Sequence, residues 1–299
     1  MTMPHYPGGV WLVDFEYYPR NGREGNPPAP VCMVAREFTT GRTLRLWQDE
    51  LARLDAAPFP TDDSALFVAF YASAEFGCFL ALGWPLPRNI LDLFSEFRTQ
   101  TNGRIVPNGS GLIGALAYHG LDSIAAEEKT AMRDRVLQGG PWSGAEQQAI
   151  LDYCETDVVA LEKLLPAILA KLDWPRALLR GQYSASAAHI EANGVPLDVG
   201  TLEIFRANWD TIQGKLIEAI DRDYGVYEGR TFKLGRFEQY LSAQGIPWPR
   251  LPTGKLQLED DAFKEMSRAH PQIAALRELR VSLGQMRLSA LPVGADGRN

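Results

Sequence analysis

Ile150-Leu151-Asp152-Tyr153-Cys154-Glu155-Thr156-Asp157-Val158-Val159 sets a tyrosine and an aspartate four residues apart within an apolar periodic stretch. In a helix, that step puts the phenol of Tyr153 and the carboxylate of Asp157 on one face, one turn apart. Ile150, Cys154, Leu161, Leu165 and Ile168 recur at three-, four- and seven-residue steps, the stripe a helix buries. Ser143-Gly144-Ala145-Glu146 reads as a capping box, in which hydroxyl and carboxylate satisfy first-turn amides. The predicted helix covers 145–172, and Pro166 is expected to kink it.

Upstream, β-rich runs at 10–15, 31–37, 43–47 and 65–70 read as strands, the first two parted by a Gly/Pro/Asn loop. A helix is predicted from Ser73-Ala74-Glu75 to Gly83, and 90–93 is a short apolar piece entering another. Helices at 111–118 and 125–138 precede the long one. Strands first and helices after predict a mixed sheet covered by helices, an α/β domain. Asp14-Phe15-Glu16 falls on the first strand, where a two-residue step puts both carboxylates on one face.

Lys171-Leu172-Asp173-Trp174-Pro175 breaks the pattern and suggests a domain boundary, giving 1–175 and 176–299. The second part reads as almost wholly helical: 177–193, 198–224, 234–244, 260–269 and 272–291. A net charge of −7 argues against indiscriminate nucleic-acid binding, and the charge is uneven. Residues 176–299 carry 16 Lys+Arg against 15 Asp+Glu, while the rest carry 14 against 22. An acidic metal-binding centre or a solvated acidic surface would each account for that excess. The single cysteines Cys32, Cys78 and Cys154 have no metal-like spacing; they read as buried reduced thiols and imply a cytoplasmic setting. No apolar run approaches the roughly 20 residues of a membrane helix.

Carboxylates drawn from distant elements onto one point are what a pair of magnesium ions needs to cut a phosphodiester. With those motifs in that order, the chain resembles the proofreading 3′–5′ exonuclease domain of family A DNA polymerases, within the DEDD superfamily of ribonuclease-H-like fold. That superfamily has Asp-x-Glu on the first strand, an acid opening a middle helix, and Tyr-x-x-x-Asp or His-x-x-x-Asp at the end. The tyrosine form stands here, and none of His5, His119, His189 and His270 precedes an acid in a matching context. The middle motif departs from Asn-x-x-x-Asp: Tyr71 takes the asparagine's place and Glu75 the acid's. Gly83-Trp84 and Ile90-Leu91-Asp92-Leu93 match the family's continuation. The resemblance gives no metal role to Asp92, expected at a strand end or helix cap, or to Asp152, expected on the other side of its helix.

The resemblance implies two Mg²⁺ or Mn²⁺ ions, with Asp14 between them, Glu16 and Asp157 completing one site and Glu75 supporting the other. It implies that Tyr153 orients the attacking water, while Lys129 and Arg133 would touch the scissile strand or form a solvated helix face. Ala188 and the residues to Asp198 resemble the hinge that opens the family A polymerase region, so the fold expected is a ribonuclease-H-like exonuclease domain followed by a mainly α-helical, thumb-like domain. Arg268, Arg277, Arg280 and Arg287 lie near or along the last helix, and Arg280 and Arg287 would contact duplex phosphates or remain solvated. The chain stops at Gly294-Ala295-Asp296-Gly297-Arg298-Asn299, where palm and fingers would follow, which suggests a fragment or a polymerase-less relative in which only the exonuclease acts. An exoribonuclease of the ribonuclease D type and a catalytically weak DNA-binding scaffold are the alternatives.

Overall fold

Alternation along β1 (Val10–Pro19) sends Val10 and Leu12 to one hydrophobic core and Trp11, Val13 and Phe15 to another. A strand buried on both sides must lie inside a sheet covered by helices, and β1 does. In a computed structural model that describes residues 3–19, 28–122, 126–285 and 291–299, β1 is the middle strand of five. β2 (Pro28–Glu37) pairs with it antiparallel, and β3 (Thr43–Trp47) continues that meander. On its other side β4 (Leu66–Ala69) and then β5 (Ile90–Asp92) run parallel, giving the order β3-β2-β1-β4-β5. The mixed sheet expected from the strand-then-helix order is thus present. A short helix, α1 (Gln48–Leu51), follows β3 and was not expected.

α2 (Ala72–Leu82) covers the face of Trp11, Val13 and Phe15 with Phe76 and Phe79. It ends at Gly83, whose φ of +73° suits glycine, so that Trp84 N–H reaches back to the Phe79 carbonyl. The Trp84 indole then packs edge-on against Phe79 at 5.4 Å. α3 (Leu93–Gln100), α4 (Leu112–Tyr118) and α5 (Ala126–Leu137) lead to α6 (Gly144–Leu169). The capping box at Ser143 and Glu146 forms, and the helix continues past Pro166 to Leu169. Ile150, Cys154, Leu161, Leu165 and Ile168 all face the core with Val10, Leu12, Cys32 and Val34. Each large aliphatic side chain on that stripe contributes about 1.5–3 kcal/mol by leaving water.

The boundary expected at 175 moves to Gly194: the compact units are Met1–Gly194 and Val195–Asn299. Trp174-Pro175 opens a helix, α7 (Trp174–Asn193), with Pro in its first turn, where its missing N–H costs nothing. Three contacts hold α7 in the first unit. Gly181 lies so close to β5 that a Cβ there would sit 2.1 Å from the Ile90 carbonyl oxygen. Arg180 donates twice to Glu96, at 2.5 and 2.7 Å. Ser184 Oγ donates to Asp92 at 3.0 Å.

The second unit holds α8 (Val199–Asp221), α9 (Leu234–Ala243), α10 (Asp260–Ala269), a 3₁₀ turn (Pro271–Ile273) and α11 (Ala274–Gln285). It also has a hairpin, β6 (Tyr227–Glu228) and β7 (Thr231–Phe232), in the stretch left unassigned between the helices expected at 198–224 and 234–244. Asp221 nucleates it by accepting from the amides of Val226 and Tyr227. Phe237 and Phe263 stack at 5.5 Å in a core shared with Ile217, Val226 and Leu276.

Candidate metal centre

β4 gives β1 its last parallel partner at Leu12, opposite Val68, so the end of β1 runs on past its neighbour. Asp14 and Glu16 lie on that overhang, paired only on the β2 side with Val34 and Cys32. A bulge follows between Glu16 and Tyr17. α6 crosses the same face and brings Asp157 to them. Ligand oxygens of Asp14, Glu16 and Asp157 all lie within 4.8 Å of one another. Asp157 is 8 % exposed. Tyr153, one turn earlier on α6, is also buried, and its phenol is pushed far above its ordinary pKa by burial and then by Glu16, Asp157 and Asp14. It is therefore neutral at any physiological pH. Cys154, between them, donates through Sγ to the Asp14 carbonyl and to Oδ2, both at 3.3 Å.

Glu75 comes from the opposite core face, in the first turn of α2. It is 4 % exposed, and the Phe15 amide, freed by the end of β4, hydrogen-bonds its carboxyl group. Burial raises its pKa well above the carboxylate range, and Asp14, Glu16 and Asp157 add to the rise. Its Oε2 is buried without a hydrogen-bond partner. It lies beside the triad but outside the set whose ligand atoms are mutually within 4.8 Å. Three converging carboxylates with a fourth, partnerless buried oxygen next to them suit a hard divalent cation, whose charge would offset what burial otherwise opposes. The donor set is all oxygen, which suits hard divalent cations over thiophilic metals.

A cleft of about 410 Å³ opens beside Asp14 and Asp157, with Phe70, Tyr71 and Phe94 along its sides. Tyr71 has φ +73°, uncommon for a residue with a Cβ, and is 49 % exposed. Its amide donates to Asp92 Oδ1 at 3.0 Å, and its ring meets Phe94 edge-on at 5.2 Å. No sequence pattern announces a left-handed tyrosine.

The two acids that the motifs set aside serve the framework. Asp92 caps α3 through the amides of Phe94 and Ser95 and also accepts from Ser95 Oγ. Asp152 pairs with Arg45 at 2.5 Å on the outer side of α6. Of the expected nucleic-acid contacts, Arg133 is exposed on α5, while Lys129 lies on that helix with its side chain outside the described residues. Arg280 has its guanidinium 4.6 Å from the Phe232 ring centre and 4.4 Å from that of Phe263, and it donates to the Leu258 carbonyl. Arg277 is bidentate to Asp260, Arg268 is exposed on α10, and Arg287 lies outside the described residues. The three cysteines are buried and form no disulfide. Among the described residues no helix is long and apolar enough to cross a membrane.

No protein-family model matches the sequence, and comparison with curated proteins finds no match. Among solved structures the chain is similar to the POL domain of Pol1 from M. smegmatis in complex with DNA primer-template and dNTP. The two are 17% identical with a TM-score of 0.59, over 98% of this chain and 48% of that one. The chain thus spans about half the length of that structure, and over nearly all of its own length it shares the fold of a DNA polymerase domain.

Proposed function

We propose that the chain is a 3′–5′ exonuclease of the proofreading type, releasing nucleotides from a DNA 3′ end, on a ribonuclease-H-like first unit. The observation that carries this reading is the meeting of Asp14, Glu16 and Asp157 within 4.8 Å, with Tyr153 on the same helix face and a cleft beside them. DNA is favoured over RNA because the structurally similar polymerase domain is bound to a DNA primer-template. The thumb-like reading of residues 195–299 rests on the same likeness.

Asp14, Glu16 and Asp157 would hold one divalent cation, and Glu75 would support a second beside Asp14. Bound Mg²⁺ or Mn²⁺ would supply the positive charge that stabilises the attacking and departing oxygens of an in-line displacement. The chain's own residues do the rest. A water oxygen attacks phosphorus, the bond from phosphorus to the 3′ oxygen of the preceding nucleotide breaks, and a 5′-monophosphate leaves. Tyr153, held neutral by its surroundings, accepts one hydrogen bond and donates another, and so aims that water along the line of attack. The water's proton passes to solvent, and the shortened strand takes up a proton at its new 3′ hydroxyl. A 3′ end must be unpaired to enter the cleft beside Asp14, so frayed and mismatched termini are the favoured substrates.

The test is a 5′-labelled single strand incubated with Mg²⁺ or Mn²⁺. Stepwise shortening that disappears in both Asp14→Ala and Asp157→Ala is the expected result. Shortening that survives in either variant, or none in the parent, overturns the assignment, and the same strand made as RNA separates the ribonuclease reading.

A further inference from the structure

A second cleft, of about 570 Å³, lies beyond the first and has the opposite character. Arg98, Thr101, Asn102, Arg104 and Ser110 border it, and no carboxylate is among its lining residues. In a chain of net charge −7, a cleft walled by two guanidiniums and no acid stands apart from the chain's overall charge. Its walls continue those of the acidic cleft on both sides. Phe94 lines the first and Arg98 the second, one turn apart on α3, with the guanidinium 5.9 Å from the ring centre. Opposite them, Ser110 of the second cleft is followed in the chain by Gly111 of the first.

We propose that this second cleft takes the phosphodiester backbone of a single nucleic-acid strand upstream of the 3′ end that the acidic centre holds. The proposal rests on the exonuclease reading for the direction of the strand, and on the groove's own chemistry for its binding. Arg98 and Arg104 are both exposed. Arg104 spends one N–H on the Tyr118 hydroxyl, at 3.3 Å, which steadies the guanidinium and leaves its other donors for phosphate. The C-terminal end of α3 opposes an anion with about half a negative charge, and two full positive charges outweigh it. In the first cleft Tyr71 stands exposed beside Phe94. Base stacking on such a face is worth about 1–3 kcal/mol and is indifferent to sequence. Acid, aromatic and base thus follow one another along a single path in the first unit.

The experiment measures binding of a fluorescent ten-nucleotide single strand by anisotropy, in chelator so that no cutting occurs, across a range of salt. Arg98→Gln with Arg104→Gln is expected to weaken binding at least 10-fold and to reduce the salt slope by about 1.4, at about 0.7 per phosphate contact. Arg98→Lys with Arg104→Lys keeps the charge and is expected to stay within about 3-fold of the parent, which separates lost phosphate contacts from lost folding. If the glutamine pair binds with the parental affinity and salt slope, the groove is overturned whether or not the protein cuts DNA. If binding depends on both arginines but the parent never shortens a strand, the groove stands and the exonuclease reading falls.

Discussion

Two groups of acids, buried or half-buried, lie near the C-terminal ends of the parallel strands, and their surroundings differ. Asp92 and Glu96 face donors: the amides of Tyr71, Phe94 and Ser95, the hydroxyls of Ser95 and Ser184, and the fork of Arg180. Asp14, Glu16, Asp157 and Glu75 face each other, and burial and these neighbours push the Glu75 carboxyl well above the usual carboxylate range. A fold gains by satisfying a buried carboxylate and loses by crowding several. The first group therefore builds the fold, and the second, on the proposed function, is a cost accepted for a ligand. The difference tells which acids to remove to lose activity and which to lose structure.

The sharpest break in that comparison is Asp14→Asn or Asp157→Asn. Strand shortening with Mn²⁺ should fall on the order of 10³-fold or more, because each variant removes a ligand that acts as part of a unit. Stability in chelator should hold or rise, since a repelling charge has gone. A urea midpoint that falls with the activity would place these acids with the framework group instead. Asp92→Ala should do the reverse and cost about 3 kcal/mol in urea unfolding, because it orphans buried donors and releases Tyr71 from its left-handed backbone. A variant as stable as the parent would show that Asp92 is not the hub its hydrogen bonds describe.

The sequence makes the second group readable; of the first it marks Asp92 as a strand-end or cap acid but hides its partners. Asp14 and Glu16 stand out from an apolar strand, and the Tyr153 to Asp157 step sits beside a five-residue stripe with a capping box before it. Those signals are local, and the resemblance joins them, with Glu75, into one site. Donors to Asp92 come from residues 71, 94, 95 and 184, and only the fold joins them. The helix at 177–193 was expected, but that α7 belongs to the first unit was hidden for another reason. Its buried positions are Ala177, Gly181, Ser184, Ala185 and Ala188 behind Trp174, small residues that allow close approach and leave little apolar rhythm to read. Trp174-Pro175 therefore looked like a domain end when it is a helix start. Arg280 misleads in the same way, because Phe232 and Phe263, which flank its guanidinium, are distant in sequence.

That close approach can be tested by one methyl group. Gly181→Ala sets a Cβ against the Ile90 carbonyl, backbone against backbone, so α7 must lift from β5. Destabilisation of about 2 kcal/mol is expected in urea unfolding. The displacement should also loosen Ser184 from Asp92, so Gly181→Ala and Asp92→Ala should be less than additive when combined. Full additivity would separate α7 from the framework group.

Glu37 offers the gentlest test, because it is a satisfied acid far from the site motifs. It is 7 % exposed; burial raises its pKa, but hydrogen bonds from Thr40, Val10 and Thr39 outweigh this and hold it below the usual carboxylate range. The unfolded chain therefore takes up this proton first as pH falls. The stability from Glu37 is complete above the unfolded value, near 4.5, and is lost as pH drops through the lower folded value. Glu37→Gln should cost about 1 kcal/mol at pH 7, because one amide nitrogen now faces donors that an oxygen had received. The gap between parent and variant should narrow below pH 4.5 in urea melts. A gap that widens in acid would mean that Glu37 is crowded rather than satisfied, and would move it across the divide to the company of Glu75.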